Sequence, residues 1–179
     1  MTSAITRPAA DEFNDYYAGY INLVPDGDIM DILTISLAEV EKLLGGLSDV
    51  QANFRFAPGE WTIKEVAGHL VDAERAFGYR AFAFSRNESA ALPGFEQDDY
   101  VREGNFDARS LGDLLEELSL LRRANLIAFR YITPEASLRD GIASNNPVTV
   151  RALVYILAGH TLYHLADLHE KYLAGLDVR

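Results

Sequence analysis

The chain has 179 residues, 49% hydrophobic and 24% charged, which fits one globular domain and excludes wholesale disorder, collagen-like repeats and a disulfide scaffold. Lys and Arg number 16 against 27 Asp and Glu; the net charge of -11 argues against a nucleic-acid backbone or an anionic membrane as partner. There is no cysteine, so thiolate catalysis, thiolate metal sites and redox switching through protein thiols are excluded.

The opening MTSAITRPAADEF has no apolar h-region. No stretch approaches the roughly 20 apolar residues of a membrane span. The expectation is a cytoplasmic protein that does not enter a membrane. Residues 1–27 are polar and aromatic (Phe13, Tyr16, Tyr17, Tyr20) with no strong period, and read as a segment packed on the outside of a domain spanning 28–179. The first helical pattern runs from about Asp28 to Leu44, with Ile29, Ile32, Leu33, Leu37, Val40 and Leu44 at three- and four-residue steps and Gly45-Gly46 as its stop. The second runs from about Thr62 to Arg86. Thr62 with Glu65 makes a capping box, and Ile63, Val66, Leu70, Ala73, Phe77, Ala81 and Phe84 mark the buried face.

A long loop from about Asn87 to Arg109 follows, with room for a short helix or a cover over one bundle end. The third helix runs from about Ser110, its cap, to Ile132 ahead of Pro134. Asn145-Asn146-Pro147 reads as the turn before the fourth, which runs from about Thr149 to Leu173. No segment shows strand alternation. The expected fold is all-α, a four-helix bundle with a long loop between its second and third helices.

Four histidines occur, and three fall in register. His160 and His164 are four apart on the fourth helix, so they differ by roughly 40° in direction and about 6 Å in rise. They lie on the apolar stripe of Leu153, Leu157 and Leu168, and so face the bundle interior. His69 flanks the apolar face of the second helix, in the row Thr62, Val66, His69, Ala73. Facing helices of a bundle are a normal place to assemble a metal site. Three neutral imidazoles with an open position suit Zn²⁺, Ni²⁺ or Fe²⁺. The same spacing also fits hydrogen-bonded core histidines, or a chance H-x-x-x-H pair on a helix.

Asp72, three residues after His69, reads either as a group orienting an imidazole N–H or as a solvated charge. Asp167, three after His164, reads as a fourth ligand, a supporting group or a surface carboxylate. His169 falls about 140° round the helix from His164 and reads as exposed. Trp61 reads as a packing anchor or a pocket wall. Arg80 and Arg86 read as attractors of an anionic substrate or, with so many acids, as salt-bridge partners. No Ser/His/Asp arrangement supports nucleophilic catalysis, and no catalytic residue is identified.

The run FAPGEWTIKEVAGHL from Phe56 to Leu70 resembles the opening motif of the DinB/YfiT-like superfamily. LPGFEQDDYV from Leu92 and NPVTVRALVYILAGHTLYHL from Asn146 to Leu165 are similar to two further motifs of its DinB-like branch. The resemblance covers roughly residues 25 to 174. It implies an up-down-down-up four-helix bundle and a divalent metal held at His69, His160 and His164. Tyr163 stands where many members carry a further, non-ligating histidine. The family includes S-transferases using low-molecular-weight thiols, a maleylpyruvate isomerase, proteins described as metal-dependent hydrolases, and many members of no known reaction. The implied function is a metal-dependent hydrolase or small-thiol S-transferase acting on a small-molecule substrate. A homodimer is implied too. The alternative is a non-enzymatic stress-response or binding module with a structural metal or none.

Overall fold

The computed structural model describes residues 4–176. In chain order the elements are α1 (Ala18–Leu23), α2 (Ile29–Leu44), α3 (Asp49–Ala52), α4 (Ile63–Ser85), α5 (Gln97–Glu103), α6 (Leu111–Phe129), α7 (Pro134–Ser137), β1 (Asp140–Ala143), β2 (Asn146–Thr149) and α8 (Val150–Asp167). The long helices α2, α4, α6 and α8 begin where expected, α4 and α6 at the expected caps Thr62 and Ser110. The Asp28 carboxylate accepts from Met30 N, the Ser110 hydroxyl from Asp113 N and the Thr149 hydroxyl from Ala152 N. Thr62 and Glu65 form the reciprocal box, at 3.0 and 2.7 Å.

Side-chain pairings across the bundle give its directions. Gly68 faces Phe106, Glu74 pairs with Arg122, and Gly78 faces Asn125. Position along α4 therefore rises with position along α6, so the two are parallel. The loop between them must return to the end where α4 began, and this is why it is long. Against α8 the order reverses: His69 meets His164 while Phe77 meets His160, so α4 and α8 are antiparallel. This is the up-down-down-up bundle.

The loop between α4 and α6 holds α5 and a 3₁₀ turn at Phe106–Ala108. One expectation fails. Asp140–Ala143 and Asn146–Thr149 are antiparallel strands, with Ala143 opposite Asn146. Ser144 and Asn145 form a two-residue turn with φ of 53 and 62°, the left-handed pair that matches hairpin twist. Four-residue strands are too short to display alternation. Asn146 and Pro147 thus lie in a strand rather than in a turn. Leu92 N donates to Ile142 O at 2.8 Å, which ties the loop after α4 to the hairpin. At the other end α8 stops at Asp167, short of the expected Leu173, and continues as a π turn over Leu168–Tyr172.

The core is two apolar clusters. One gathers Leu33, Phe77, Phe84, Phe129, Leu153 and Leu157; the other gathers Leu37, Ile63, Leu70, Leu114, Leu118 and Leu168. Between them each long helix contributes buried polar residues: Ser36 from α2, His69 and Glu74 from α4, Arg122 from α6, and His160, Thr161 and His164 from α8. A polar layer therefore crosses the bundle. Arg122 anchors it, donating to Glu74 at 2.8 Å, Leu33 O at 2.8 Å and Thr161 Oγ1 at 3.0 Å.

Candidate metal centre

The histidines occupy one side of this layer. His160 and His164 stand one turn apart on α8, and the antiparallel α4 brings His69 across to them. His69 Nε2 lies 2.9 Å from His160 Nε2, and His164 Nε2 lies 3.2 Å from His160 Nε2. All three residues are buried, and their ligand atoms lie within 4.8 Å of one another.

Burial, with His164 adding to it, pushes the His69 imidazole down to about 3. Burial and, secondarily, Lys171 push His164 down to about 4. His160 lies well below the usual range, through burial first and then its two histidine neighbours. All three are neutral at pH 7. The Nδ1 atoms of His69 and His160 are buried without a hydrogen-bond partner. With protons on those Nδ1 atoms, Nε2 lone pairs converge and repel unless a cation stands among them. Nitrogens about 2.0–2.1 Å from one Zn²⁺ stand roughly 2.9–3.4 Å apart for angles between about 90° and 110°. The residues fit a divalent ion.

Ring packing holds the imidazoles. Trp61 lies 4.9 Å from His69 between ring centroids, Tyr20 5.4 Å from His160, and Tyr163 5.3 Å from His164. Trp61 is thus a wall of the site. Tyr20 comes from α1, and sequence reasoning missed it, because residues 1–27 show no period that would point it inward. It is placed by Gly159, where an added Cβ would stand 2.0 Å from the Tyr20 carbonyl oxygen. Burial raises the Tyr20 phenol above its ordinary range, so it stays protonated.

Two clefts reach the cluster. One, of about 470 Å³, is lined by Tyr17, His69, Phe77, Arg80, Phe95 and His160. The other, of about 510 Å³, is lined by Phe56, Trp61, Tyr163, His164, Asp167 and Lys171. Tyr16 and Tyr20 border both.

The remaining candidates fall as follows. Asp167 borders the His164 cleft and pairs with Lys171 at 2.8 Å. Asp72 makes no hydrogen bond to His69, whose Nδ1 has no partner and whose Nε2 faces His160. Its carboxyl is raised to about 6, by burial and then Glu117, with Arg75 and Arg109 opposing. His169 is exposed. Arg86 is exposed and lies over Phe82, and among the described residues it lacks the acidic partner expected of it.

A family model described as the DinB superfamily matches residues 32–168, a span that includes all three clustered histidines. No curated protein matches the chain. Among solved structures, YfiT from Bacillus subtilis, described as "a probable metal-dependent hydrolase with an unusual four-helix bundle topology", superposes with a TM-score of 0.73 at 15% identity, over 94% of this chain and 93% of that chain. A mycothiol-dependent maleylpyruvate isomerase superposes with a TM-score of 0.67 at 10% identity, over 83% of this chain and 62% of that chain. At these identities the two likenesses concern the fold.

Proposed function

The chain belongs to the DinB superfamily, and on that premise we propose a metal-dependent enzyme in which His69, His160 and His164 hold a divalent ion, Zn²⁺, Ni²⁺ or Fe²⁺, with a coordination position open to a small-molecule substrate. The observation that carries the reading is the convergence of three buried Nε2 atoms, two pairs of them 2.9 and 3.2 Å apart, where two clefts meet. Bound there, such an ion supplies Lewis acidity that lowers the pKa of a water or thiol.

The protein's own part is to keep the imidazoles neutral and to shape the approach. Burial leaves the Nε2 lone pairs free at neutral pH. The Trp61, Tyr20 and Tyr163 rings pack against the imidazoles and hold them in place. Of the two neighbouring carboxylates, Asp167 shares the His164 cleft and is the one proposed to support the site. A hydrolase and an S-transferase both begin from an activated nucleophile. Any thiol must be a small molecule, because the chain has no cysteine. The described hydrolase character of YfiT and the mycothiol dependence of the isomerase support these two reaction classes.

The test is the metal content of protein purified without added metal, compared with His160→Ala and His164→Ala. The wild type carries an ion and both variants lose it; equal content in all three overturns the reading. Hydrolase and thiol-conjugation panels on the loaded form then separate the two reactions. A homodimer is proposed alongside, on the exposed apolar Leu120 and Ile127 of α6. Light scattering at tens of micromolar tests it, and a monomer mass sinks it.

A further inference from the structure

Two arginines are buried among the described residues, Arg122 at 1% exposure and Arg80 at 4%. Arg122 has a carboxylate, Glu74, at 2.8 Å. Arg80 has none. Its Nη2 donates to Pro93 O at 2.8 Å and Ser144 Oγ at 3.1 Å, and its guanidinium also hydrogen-bonds the neutral Tyr17 hydroxyl. Its guanidinium lies over the Phe77 ring at 5.5 Å and the Phe95 ring at 6.0 Å. Burial lowers its pKa, and the Tyr17 hydroxyl beside it does not supply a compensating charge at neutral pH. A cation taken out of water without a counter-charge is costly. In a chain of net charge -11 the cost is not for want of acids. Arg75, Arg102, Arg109 and Arg151 all pair with carboxylates.

Position adds a second argument. Arg80 is eleven residues after His69 on α4, which is three turns, so both lie on one face within about 20°. Side chains on a helix lean toward its N-terminus, which carries the guanidinium back toward the histidines. Phe77 stands between: it underlies Arg80, and its ring centroid is 6.1 Å from that of His160. Arg80, Phe77, His69 and His160 line one cleft of about 470 Å³, room for a small organic molecule. Glu96 and Asp98 also line this cleft, but both are exposed and screened by solvent.

We propose that Arg80 is the anchor for a carboxylate of the molecule that enters this cleft, its planar fork holding the anionic end while Phe77 supports an apolar stretch leading to the histidines. The substrate class is then a small organic acid whose reacting group lies several atoms from its carboxylate. The proposal rests on the histidine cluster as the reacting centre, but it makes a separate claim about anion recognition.

The test is calorimetric binding of glutarate and of its uncharged analogue glutaramide to metal-free protein, with metal content measured on separate samples. Wild type binds glutarate at least ten-fold more tightly than glutaramide. Arg80→Met removes that preference, and Arg80→Lys keeps part of it, since the charge remains without the fork. The Arg80 Nε–H resonance of the wild type shifts with glutarate and not with glutaramide, a readout that needs no variant to fold. No preference in wild type, an unmoved resonance, or an undiminished preference in folded Arg80→Met overturns the anchor. Absence of metal with the preference intact overturns the metal reading and leaves the anchor standing.

Discussion

The ring of Tyr20 packs edge-on against the imidazole of His160, centroids 5.4 Å apart and planes 73° from each other. The contact exists because α1 lies directly on α8, where Gly159 leaves the Tyr20 carbonyl room to approach. A methyl at position 159 has to displace backbone rather than a flexible side chain. Gly159→Ala is therefore expected to destabilise the protein by about 1–3 kcal/mol, the scale of overpacking, although alanine is the better helix former. Urea unfolding reads this directly. A variant as stable as wild type would show that α1 does not dock as described.

The Glu74–Arg122 pair is the second structural commitment. Both side chains are essentially sealed from solvent, and Arg122 also satisfies Leu33 O and Thr161. Arg122→Met is expected to cost about 3–5 kcal/mol, because it strands the Glu74 carboxylate. The double variant Arg122→Met/Glu74→Leu is expected to cost less than Arg122→Met alone, since no uncompensated charge remains. Additive losses in a double-mutant cycle would mean the two residues do not act as a pair.

Much of this was legible in the sequence. The Thr62–Glu65 box and the Ser110 cap announce helices because the capping bonds are local. The turn spacing of His160 and His164 is equally local. The cross-bundle partners are not. Glu74 and Arg122 sit in apolar stripes, Leu70–Glu74–Phe77 and Leu118–Arg122–Phe129, and a charge in such a register signals a buried partner. Reading the apolar residues alone steps past it. The Ser144–Asn145 hairpin escaped because neither residue is glycine, though both have positive φ, and because its strands are four residues long.

Asp72 gives a prediction of opposite sign to the usual carboxylate. Its folded pKa is raised to about 6 from 3.8, first by burial and then by Glu117. The folded state therefore binds the proton more tightly than the unfolded chain, and stability falls as pH rises between those values. Asp72→Asn is expected to raise the melting temperature at pH 8 and to change it little at pH 4. Loss of stability at pH 8 would show that the charged form makes a favourable contact.

The last expectation concerns the histidines and pH. In the folded protein His69 is held down to about 3 and His164 to about 4, against 6.5 for a free imidazole, and His160 is lowered as well. Depressed folded values mean that the unfolded chain takes up protons first as pH falls. Metal-free protein is thus expected to keep the full contribution of these residues above about pH 6.5 and to lose it as pH falls through the folded values near 4 and 3. Each histidine that charges only on unfolding adds about 1.4 kcal/mol per pH unit to the slope. A bound ion also needs neutral imidazoles in the folded state, so its stabilisation declines only as pH falls to the folded values near 4 and 3, where protons compete for the ligands. The gain in melting temperature from added metal is expected to hold from about pH 7 to pH 5 and to shrink as pH falls through about 4. Acid effects elsewhere lower the loaded and metal-free curves together, so their difference isolates the site. In the His160→Ala/His164→Ala double variant that difference is expected to vanish at every pH, and the metal-free slope below pH 6.5 to flatten. A gain that does not shrink below about pH 4, or that survives in the double variant, would place the ion somewhere other than these histidines.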